Sequence, residues 1–278
     1  MKTILSISSH VVAGRVGQSI STFAFERLGL AVFAVPTVLY PVTPAPGAPR
    51  GEAVPQAIFD LLLKGISDAG ALGGLGALHI GYLRTKGQVL SAARVIALLR
   101  EKSPHAPVFL DPILGDEPGG LYVPKETADA IASELAPHAD ILTPNLFELG
   151  FLVGRSLGSE SDAVAAARSL NARVVVVTSA PSAAERANTL LIEQGRAQRL
   201  YTPRFAHAPH GTGDLLAALF LARLVRGEAA IDALALAISS VYGLIGAANE
   251  ASLSYLPHVE CQDLLAVPAF CVEVEAIA

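Results

Sequence analysis

Two glycines and an aspartate lie at the predicted junction between a loop and an apolar helix. The segment is His210-Gly211-Thr212-Gly213-Asp214, and an unbroken apolar run follows it. Glycine reaches backbone angles that other residues disfavour, and the first N–H groups of a helix lack partners and carry partial positive charge. The pattern predicts that Gly211, Thr212 and Gly213 form an anion site. Asp214 is then either a catalytic base beside a transferring phosphate or a simple helix cap.

Further polar side chains follow the predicted strands. In open parallel sheets, ligands bind beyond the carboxyl ends of the strands. The candidates at these positions are Ser8, Ser9, His10, Gly81, Tyr82, Asp111, Asn145, Glu148, Thr178 and Ser179. Each also has a structural interpretation: Asp111 before Pro112 can open a turn, and Asn145 with Glu148 can cap a short helix.

Asp111 and Glu148 are the candidate metal ligands. Mg²⁺ takes oxygen ligands and often only one or two carboxylates, with water and phosphate supplying the rest. The sequence has no Gly-x-x-x-x-Gly-Lys-Ser/Thr segment, which excludes a P-loop enzyme. Gly14-Arg15-Val16-Gly17 is only a weak nucleotide signal and is not interpreted as a dinucleotide fingerprint.

Strand and helix patterns alternate along the chain. Strands are predicted at 4–8, 30–38, 77–83, 108–110, 140–143 and 173–178, and helices at 17–28, 54–69, 88–102, 125–135, 146–153 and 162–170, with two long apolar helices from 213 and 229. Residues 189–193 and 197–201 predict a hairpin that turns at Gln194-Gly195. Because the strands are continuous apolar runs separated by helices, we predict one three-layer α/β/α domain over residues 1–278, with a mostly parallel central sheet.

A proline-rich segment at 41–55 interrupts this alternation. It contains Pro41, Pro44, Pro46, Pro49 and Pro55, together with two glycines. The proline density predicts that the segment holds no regular structure. It is either a surface loop or a flap over a site, and its length favours the flap.

Composition restricts the class of protein. The 278 residues are 52% hydrophobic and 16% charged, against about 25% charged in ordinary soluble domains, so the chain can bury a large core. The net charge of −5 argues against a nucleic-acid surface. Polar residues from Ser6 onward come too early for a secretory signal, and the polar residues within 231–248 favour a buried helix over a membrane span. Cys261 and Cys271 are expected to be free thiols in a reducing cytoplasm, with a short disulfide as the alternative.

Five segments of the chain match one family in order. They are Ile7-Ser8-Ser9-His10-Val11-Val12-Ala13-Gly14, Gly81-Tyr82-Leu83, Asp111-Pro112-Ile113-Leu114-Gly115-Asp116, Thr143-Pro144-Asn145-Leu146-Phe147-Glu148 and Gly211-Thr212-Gly213-Asp214. Together they resemble the ribokinase superfamily, and most closely its pyridoxal kinases. The first segment resembles the family's first strand and turn, and the last resembles the superfamily's anion hole and base.

The resemblance implies a ribokinase-like fold and ATP-dependent phosphorylation of the 5′-hydroxymethyl group of pyridoxal, with pyridoxine and pyridoxamine as further acceptors. Asp214 would be the base, and Gly211, Thr212 and Gly213 would hold the developing charge. Ser9, His10, Thr43 and Tyr82 would bind the substrate, and Asp111, Asn145, Glu148, Thr178 and Ser179 would bind the nucleotide, with Asp111 and Glu148 organising Mg²⁺. The resemblance also implies a cytoplasmic homodimer that binds neither nucleic acid nor membrane, and it leaves a monovalent-cation requirement open.

The chain departs from the family pattern at two places. Tyr40-Pro41-Val42-Thr43-Pro44-Ala45-Pro46 stands where the family flap carries a Ser-Asn-His-Thr-like stretch, which makes Thr43 the candidate polar contact. The basic residue common after the strand that here ends Val177-Thr178-Ser179-Ala180 is absent. Two alternatives stay open: a kinase for hydroxymethylpyrimidine or another small alcohol, and a non-catalytic pyridoxal-phosphate-binding protein.

Overall fold

A computed structural model describes residues 2–43, 51–183 and 185–277. The strands are β1 (Thr3–Ala13), β2 (Ala31–Val42), β3 (Glu52–Ala53), β4 (Ala77–Ile80), β5 (Val108–Leu110), β6 (Gly115–Asp116), β7 (Gly120–Leu121), β8 (Ile141–Leu142), β9 (Val174–Ala180), β10 (Arg186–Glu193), β11 (Arg196–Pro203) and β12 (Glu273–Ile277). The helices are α1 (Gln18–Arg27), α2 (Gln56–Asp68), α3 (Lys86–Lys102), α4 (Lys125–Ala130), α5 (Leu146–Leu152), α6 (Glu160–Ser169), α7 (Thr212–Arg226), α8 (Ala230–Glu250) and α9 (Asp263–Ala266).

The central sheet has the order β12-β11-β10-β9-β8-β5-β4-β1-β2-β3 over the described residues. The pairings from β2 through β1, β4, β5 and β8 to β9 are parallel. β3 at one margin and β10 to β12 at the other are antiparallel. The mostly parallel sheet confirms the predicted fold class and brings the carboxyl ends of β1, β4, β5, β8 and β9 to one edge.

Helices cover both faces of the sheet and enclose two apolar cores. One core contains residues of α2 to α6, and the other contains residues of α1, α7, α8 and α9. Along β1, Ile4 packs in the second core while Leu5 and Ile7 pack in the first. The four valines of 174–177 alternate between the same cores, which explains why this buried strand is a continuous apolar run.

Several boundaries differ from the sequence prediction. β1 extends to Ala13 because its pairing with β2 continues to that residue, so Ser9 and His10 lie inside the strand rather than after it. β4 ends at Ile80, since its neighbour β5 ends at Leu110, and Tyr82 therefore follows the strand. The predicted helix over 125–135 is α4 followed by a π-helical turn at Ile131–Leu135. The predicted hairpin is confirmed as β10 and β11, with Gly195 in the turn at φ +77°.

The prediction that 41–55 holds no regular structure is wrong at both ends of the segment. β2 continues through Pro41 to Val42, and β3 pairs antiparallel with Val38 and Leu39. Proline is tolerated there because β3 covers only a short part of β2 near the sheet margin, where a ladder donor is not required. Residues 44–50, the middle of the predicted flap, lie outside the described residues.

Two smaller predictions are confirmed. By length and composition alone, α8 could cross a membrane, but nine of its 21 residues are buried, as predicted for a core helix. Cys261 and Cys271 are free thiols.

Candidate active site

The predicted anion site is the start of α7. Gly211 is the residue before the helix and has a left-handed φ of +92°. A Cβ at this position would lie 2.3 Å from the carbonyl oxygen of Arg15, so only glycine fits. A Cβ on Gly213 would meet no atom within 4 Å. The first turn of α7 is thus tightly packed on one side and open on the other.

Asp214 lies in this first turn and is half-buried. Its carboxylate lies near the backbone N–H of Gly17, in the turn of residues 14–17 that joins β1 to α1. Burial raises the pKa of Asp214 above its usual value, and the Gly17 N–H opposes that shift. The approach of a distant turn to this carboxylate favours the base over the cap interpretation.

An acidic cleft of about 330 Å³ lies beyond the carboxyl ends of β5, β8 and β9. It brings together all of the predicted catalytic and nucleotide residues: Asp111, Asn145, Glu148, Thr178, Ser179, Gly211, Thr212, Gly213 and Asp214. This convergence follows from the parallel sheet, whose strand ends share one edge. Asp116 and Tyr122, from the β6–β7 hairpin, also line the cleft. Sequence reasoning did not assign them a role, although Asp116 closes the Asp-Pro-x-x-Gly-Asp motif.

Asp111 and Glu148 are the two buried carboxylates of the acidic cleft, with 8% and 4% of their surfaces exposed. Asp111 lies directly after β5. Its Oδ1 accepts a hydrogen bond of 3.0 Å from the Thr143 hydroxyl. Burial raises the pKa of Asp111 well above its usual value, and the negative charges of Glu148 and Asp214 raise it further. The Thr143 hydroxyl opposes these effects. A cation in the cleft would therefore relieve an unfavourable concentration of negative charge.

Glu148 and Asn145 form the capping box that the sequence allowed. The Asn145 side chain accepts from the Glu148 N–H at 2.9 Å, and Glu148 Oε2 accepts from the Asn145 N–H at 2.8 Å. Glu148 Oε1 also accepts from the N–H groups of Leu114, at 3.0 Å, and Gly115, at 3.4 Å. Burial nevertheless raises the pKa of Glu148 to about 7. The carboxylate therefore has a structural role in joining α5 to the segment after β5, and it faces the cleft as well.

The donors of the acidic cleft fit Mg²⁺ shared with a nucleotide better than a resident metal. In the described residues, no group of three or more His, Cys, Asp or Glu side chains is arranged to hold a metal ion. Asp111 and Glu148 supply two carboxylates, which is the usual protein contribution where phosphate and water complete the Mg²⁺ shell.

A second cleft of about 250 Å³ continues from the acidic cleft and shares Thr178, Ser179, Thr212 and Gly213 with it. Its outer wall includes Phe205 and Tyr242, whose ring centroids are 4.7 Å apart. Sequence reasoning missed both, because they come from a loop and from α8 and share no motif. Ser179 has a left-handed φ of +53°, a conformation that non-glycine residues keep mainly at functional sites.

Ser9 and His10, predicted to bind substrate, do not line the acidic cleft but contact the turn that supports it. A Cβ on Gly17 would lie 2.3 Å from Ser9 Oγ, and Gly17 has a left-handed φ of +57°. His10 forms an isolated β-bridge with Gly17. Gly17 also lies near Asp214. Ser9 is therefore separated from the candidate base by Gly17 alone.

Thr43 and Tyr82 also lie outside the acidic cleft. Thr43 Oγ1 would be 2.5 Å from a Cβ on Gly14, and Thr43 lines a separate cleft of about 410 Å³ with His210. Tyr82 donates its backbone N–H to Ser8 Oγ at 3.2 Å. Burial and the neighbouring Tyr40 raise the pKa of the Tyr82 hydroxyl. The predicted substrate residues are therefore not gathered into one cavity, whereas the predicted nucleotide residues are.

A parallel sheet with an acidic cleft at its carboxyl edge and a Gly-Thr-Gly-Asp helix start defines a small-molecule kinase of the ribokinase-like fold. The family model described as phosphomethylpyrimidine kinase matches residues 73–257. The chain is 40% identical over 239 residues to a pyridoxine/pyridoxal/pyridoxamine kinase of Bordetella avium, with 83% of this chain and 81% of the relative covered. It is 34% identical over 282 residues to a pyridoxal kinase of Corynebacterium diphtheriae, with 99% of each covered.

A solved structure gives the same result. The pyridoxal kinase from Leishmania donovani in complex with ADP and pyridoxamine matches with a TM-score of 0.90 at 28% identity, over 100% of both chains. The chain belongs to the pyridoxal kinases of the phosphomethylpyrimidine kinase family. The resemblance inferred from its motifs is confirmed.

Proposed function

We propose that this chain transfers the γ-phosphoryl group of ATP to the 5′-hydroxymethyl group of pyridoxal, and that pyridoxine and pyridoxamine are further acceptors. The observation that carries the proposal is the placement of Asp214, between the Gly17 N–H and the open N-terminus of α7 at the edge of the acidic cleft. The names of the relatives support the acceptors, since the Bordetella avium relative is a pyridoxine/pyridoxal/pyridoxamine kinase.

In the proposed reaction, the oxygen of the substrate hydroxyl attacks the γ-phosphorus of ATP, and ADP leaves. Asp214 accepts the proton of that hydroxyl. The raised pKa of Asp214 suits this role, because a general base works best when its pKa is near the working pH. Backbone N–H groups at Gly211 to Asp214 stabilise the charge that develops on the transferred group. Phosphoryl transfer depends mainly on such positioning and charge stabilisation.

The nucleotide is proposed to lie along the two joined clefts. Asn145, Thr178 and Ser179 contact its phosphates, and Phe205 and Tyr242 border the space for the base. Asp111 and Glu148 would hold Mg²⁺, which would neutralise phosphate charge.

We predict that the Mg²⁺ requirement depends on Asp111 and Glu148. Asp111→Asn and Glu148→Gln should each raise the Mg²⁺ concentration for half-maximal rate, by about tenfold or more for a lost ligand. Glu148→Gln should also lower stability by about 1 kcal/mol, because it weakens the capping box. The measurements are an Mg²⁺ titration of the rate and a thermal melt of each variant.

Ser159→Ala is the matched control for the cap. Ser159 caps α6 by accepting from the Asp162 N–H at 3.1 Å, so its loss should lower stability and leave the Mg²⁺ dependence unchanged. If Glu148→Gln behaves like Ser159→Ala, Glu148 is a structural residue only.

A substrate panel tests the proposed function directly. Pyridoxal, pyridoxine, pyridoxamine, hydroxymethylpyrimidine and ribose are each incubated with Mg-ATP, and ADP release is measured. The proposal expects turnover with the pyridoxal-type alcohols and none with ribose. A preference for hydroxymethylpyrimidine would favour the alternative that the chain is a hydroxymethylpyrimidine kinase. A titration with ATP separates both from a non-catalytic vitamer-binding protein, which has no need to bind the nucleotide.

The proline-rich flap leads to a prediction about selectivity. The side chains of Val42, Ala45 and Ala48 offer no hydrogen bonds to a pyridoxal ring. A site that loses buried polar contacts discriminates poorly between similar ligands. We expect pyridoxal phosphorylation to be slower, or less selective against hydroxymethylpyrimidine, than in a relative with the usual flap. Grafting a Ser-Asn-His-Thr flap into the chain should then raise kcat/KM for pyridoxal. An unchanged kcat/KM and unchanged selectivity in a folded graft would show that the flap does not set substrate choice.

We further propose one kinase domain over residues 1–278 that works in the cytoplasm as a homodimer. The free thiols of Cys261 and Cys271 suit a reducing compartment. Exposed apolar side chains on β2 and α2, among them Phe33, Leu39 and Leu61, support a second copy as partner. Sedimentation of the purified protein tests the dimer.

A further inference from the structure

We propose that Arg15 is a positioning residue for the catalytic loop. Its guanidinium, held by Glu260 and Tyr255, fixes the turn of residues 14–17 against Gly211 and Asp214. The inference rests on the proposed role of Asp214 as the base.

The side chain of Arg15 is held by three kinds of contact. Its Nη1 and Nη2 donate to the two carboxylate oxygens of Glu260 at 2.7 and 2.9 Å. The guanidinium lies 4.3 Å from the centroid of the Tyr255 ring, and Nη1 lies 3.5 Å from the carbonyl oxygen of Leu256. Surface ion pairs usually contribute little to stability. An arginine that binds a carboxylate through two hydrogen bonds and also stacks on an aromatic ring is held more firmly.

The backbone of the same turn reaches the catalytic loop. The Arg15 carbonyl oxygen lies 2.3 Å from the position of a Cβ on Gly211, and Val16 Cγ1 lies 3.3 Å from it. One residue after Val16, the Gly17 N–H lies near the Asp214 carboxylate and lowers its pKa. The side chain of Arg15 is therefore tied to the segment after α8 while its backbone supports the loop before α7.

An anchor is needed because the turn has little side-chain structure of its own. Gly14 and Gly17 begin and end it, and Gly17 has a left-handed φ, so the free turn has many accessible conformations. Releasing the guanidinium lets the Arg15 carbonyl and the Gly17 N–H shift together. A 1 Å displacement of reacting groups costs about 100-fold in rate, and a partial shift costs less.

The test compares Arg15→Met with Arg27→Met. Arg27 pairs with Asp263 at 2.9 Å and likewise joins the N-terminal part of the chain to the segment after α8, without a contact to residues 211–214 that the structure describes. Arg15→Met should lower kcat about tenfold and leave KM for ATP within about twofold, because Arg15 lines neither of the two clefts proposed for the nucleotide. Arg27→Met should change stability by a similar amount and keep the wild-type kcat.

Glu260→Gln gives an independent measurement if Arg15→Met does not fold. It should lower kcat in the same direction, and the double variant should lose no more than Arg15→Met alone, since both remove one interaction. Arg15→Lys should recover part of the lost kcat. A wild-type kcat in folded Arg15→Met or Glu260→Gln, or an equal loss in Arg27→Met, overturns the inference. An inactive wild-type enzyme, or a fully active Asp214→Asn, overturns the proposed function instead.

Discussion

Replacing Asp214 with asparagine is expected to lower kcat by about 10²- to 10⁴-fold, the usual contribution of a general base. Asparagine keeps the size of the side chain, but it cannot take the proton of the substrate hydroxyl. ATP affinity should stay nearly unchanged, because the proposed nucleotide contacts are made by other residues of the joined clefts. A coupled ADP assay gives kcat, and a binding titration gives the ATP affinity.

Asp232→Asn is the matched control for this variant. Asp232 is the acidic residue in the first turn of α8, as Asp214 is in the first turn of α7, but it does not line the acidic cleft described above. Its replacement should leave kcat at the wild-type value. Full turnover by Asp214→Asn would remove Asp214 from the mechanism and return it to the role of a structural residue.

The second large effect is expected at Gly211. A Cβ there would meet the Arg15 carbonyl oxygen at 2.3 Å, so Gly211→Ala must displace either the loop or the turn. The loss of one aligned N–H donor at such a site costs about 10²- to 10³-fold in kcat. The left-handed φ adds a cost in stability of about 1–3 kcal/mol. Steady-state kinetics and chemical denaturation measure the two effects separately.

Gly227 isolates the backbone strain from the catalytic effect. It lies at the other end of α7 with a left-handed φ of +100°, and a Cβ on it would meet nothing within 4 Å. Gly227→Ala should therefore lower stability and leave kcat unchanged. If Gly211→Ala, like Gly227→Ala, lowers stability and leaves kcat unchanged, Gly211 is needed for folding only and the start of α7 is not an anion site.

The convergence of the proposed nucleotide residues could be predicted from the sequence because most of them follow strands. Asp111, Thr178 and Ser179 come directly after or at the end of buried apolar runs, and parallel pairing alone brings such positions to one edge. The Gly-Thr-Gly-Asp segment could be placed for the same reason, since the helix it begins is strongly apolar. The fold class followed from the alternation of strands and helices.

The support of the catalytic loop could not be predicted to the same depth because it depends on contacts between distant segments. Arg15 and Glu260 are 245 residues apart, and no local pattern indicates that they meet. Gly14-Arg15-Val16-Gly17 was interpreted only as a weak nucleotide signal, whereas in the structure Gly17 contacts both Ser9 and Asp214. Strand lengths were also set by tertiary pairing: β1 reaches Ala13 only because β2 accompanies it. β12 is almost wholly exposed and has no apolar run to reveal it.

The central claim is that this chain phosphorylates a pyridoxal hydroxymethyl group with Asp214 as base. Its most direct test is to incubate the wild-type protein and Asp214→Asn with pyridoxal and Mg-ATP, and to measure the phosphate ester and ADP by mass spectrometry. We expect the wild-type protein to form pyridoxal 5′-phosphate and ADP in equal amounts, and Asp214→Asn to form less than about one hundredth as much in the same time. Absence of the phosphate ester from the wild-type reaction, or its formation by Asp214→Asn at the wild-type rate, would contradict the claim.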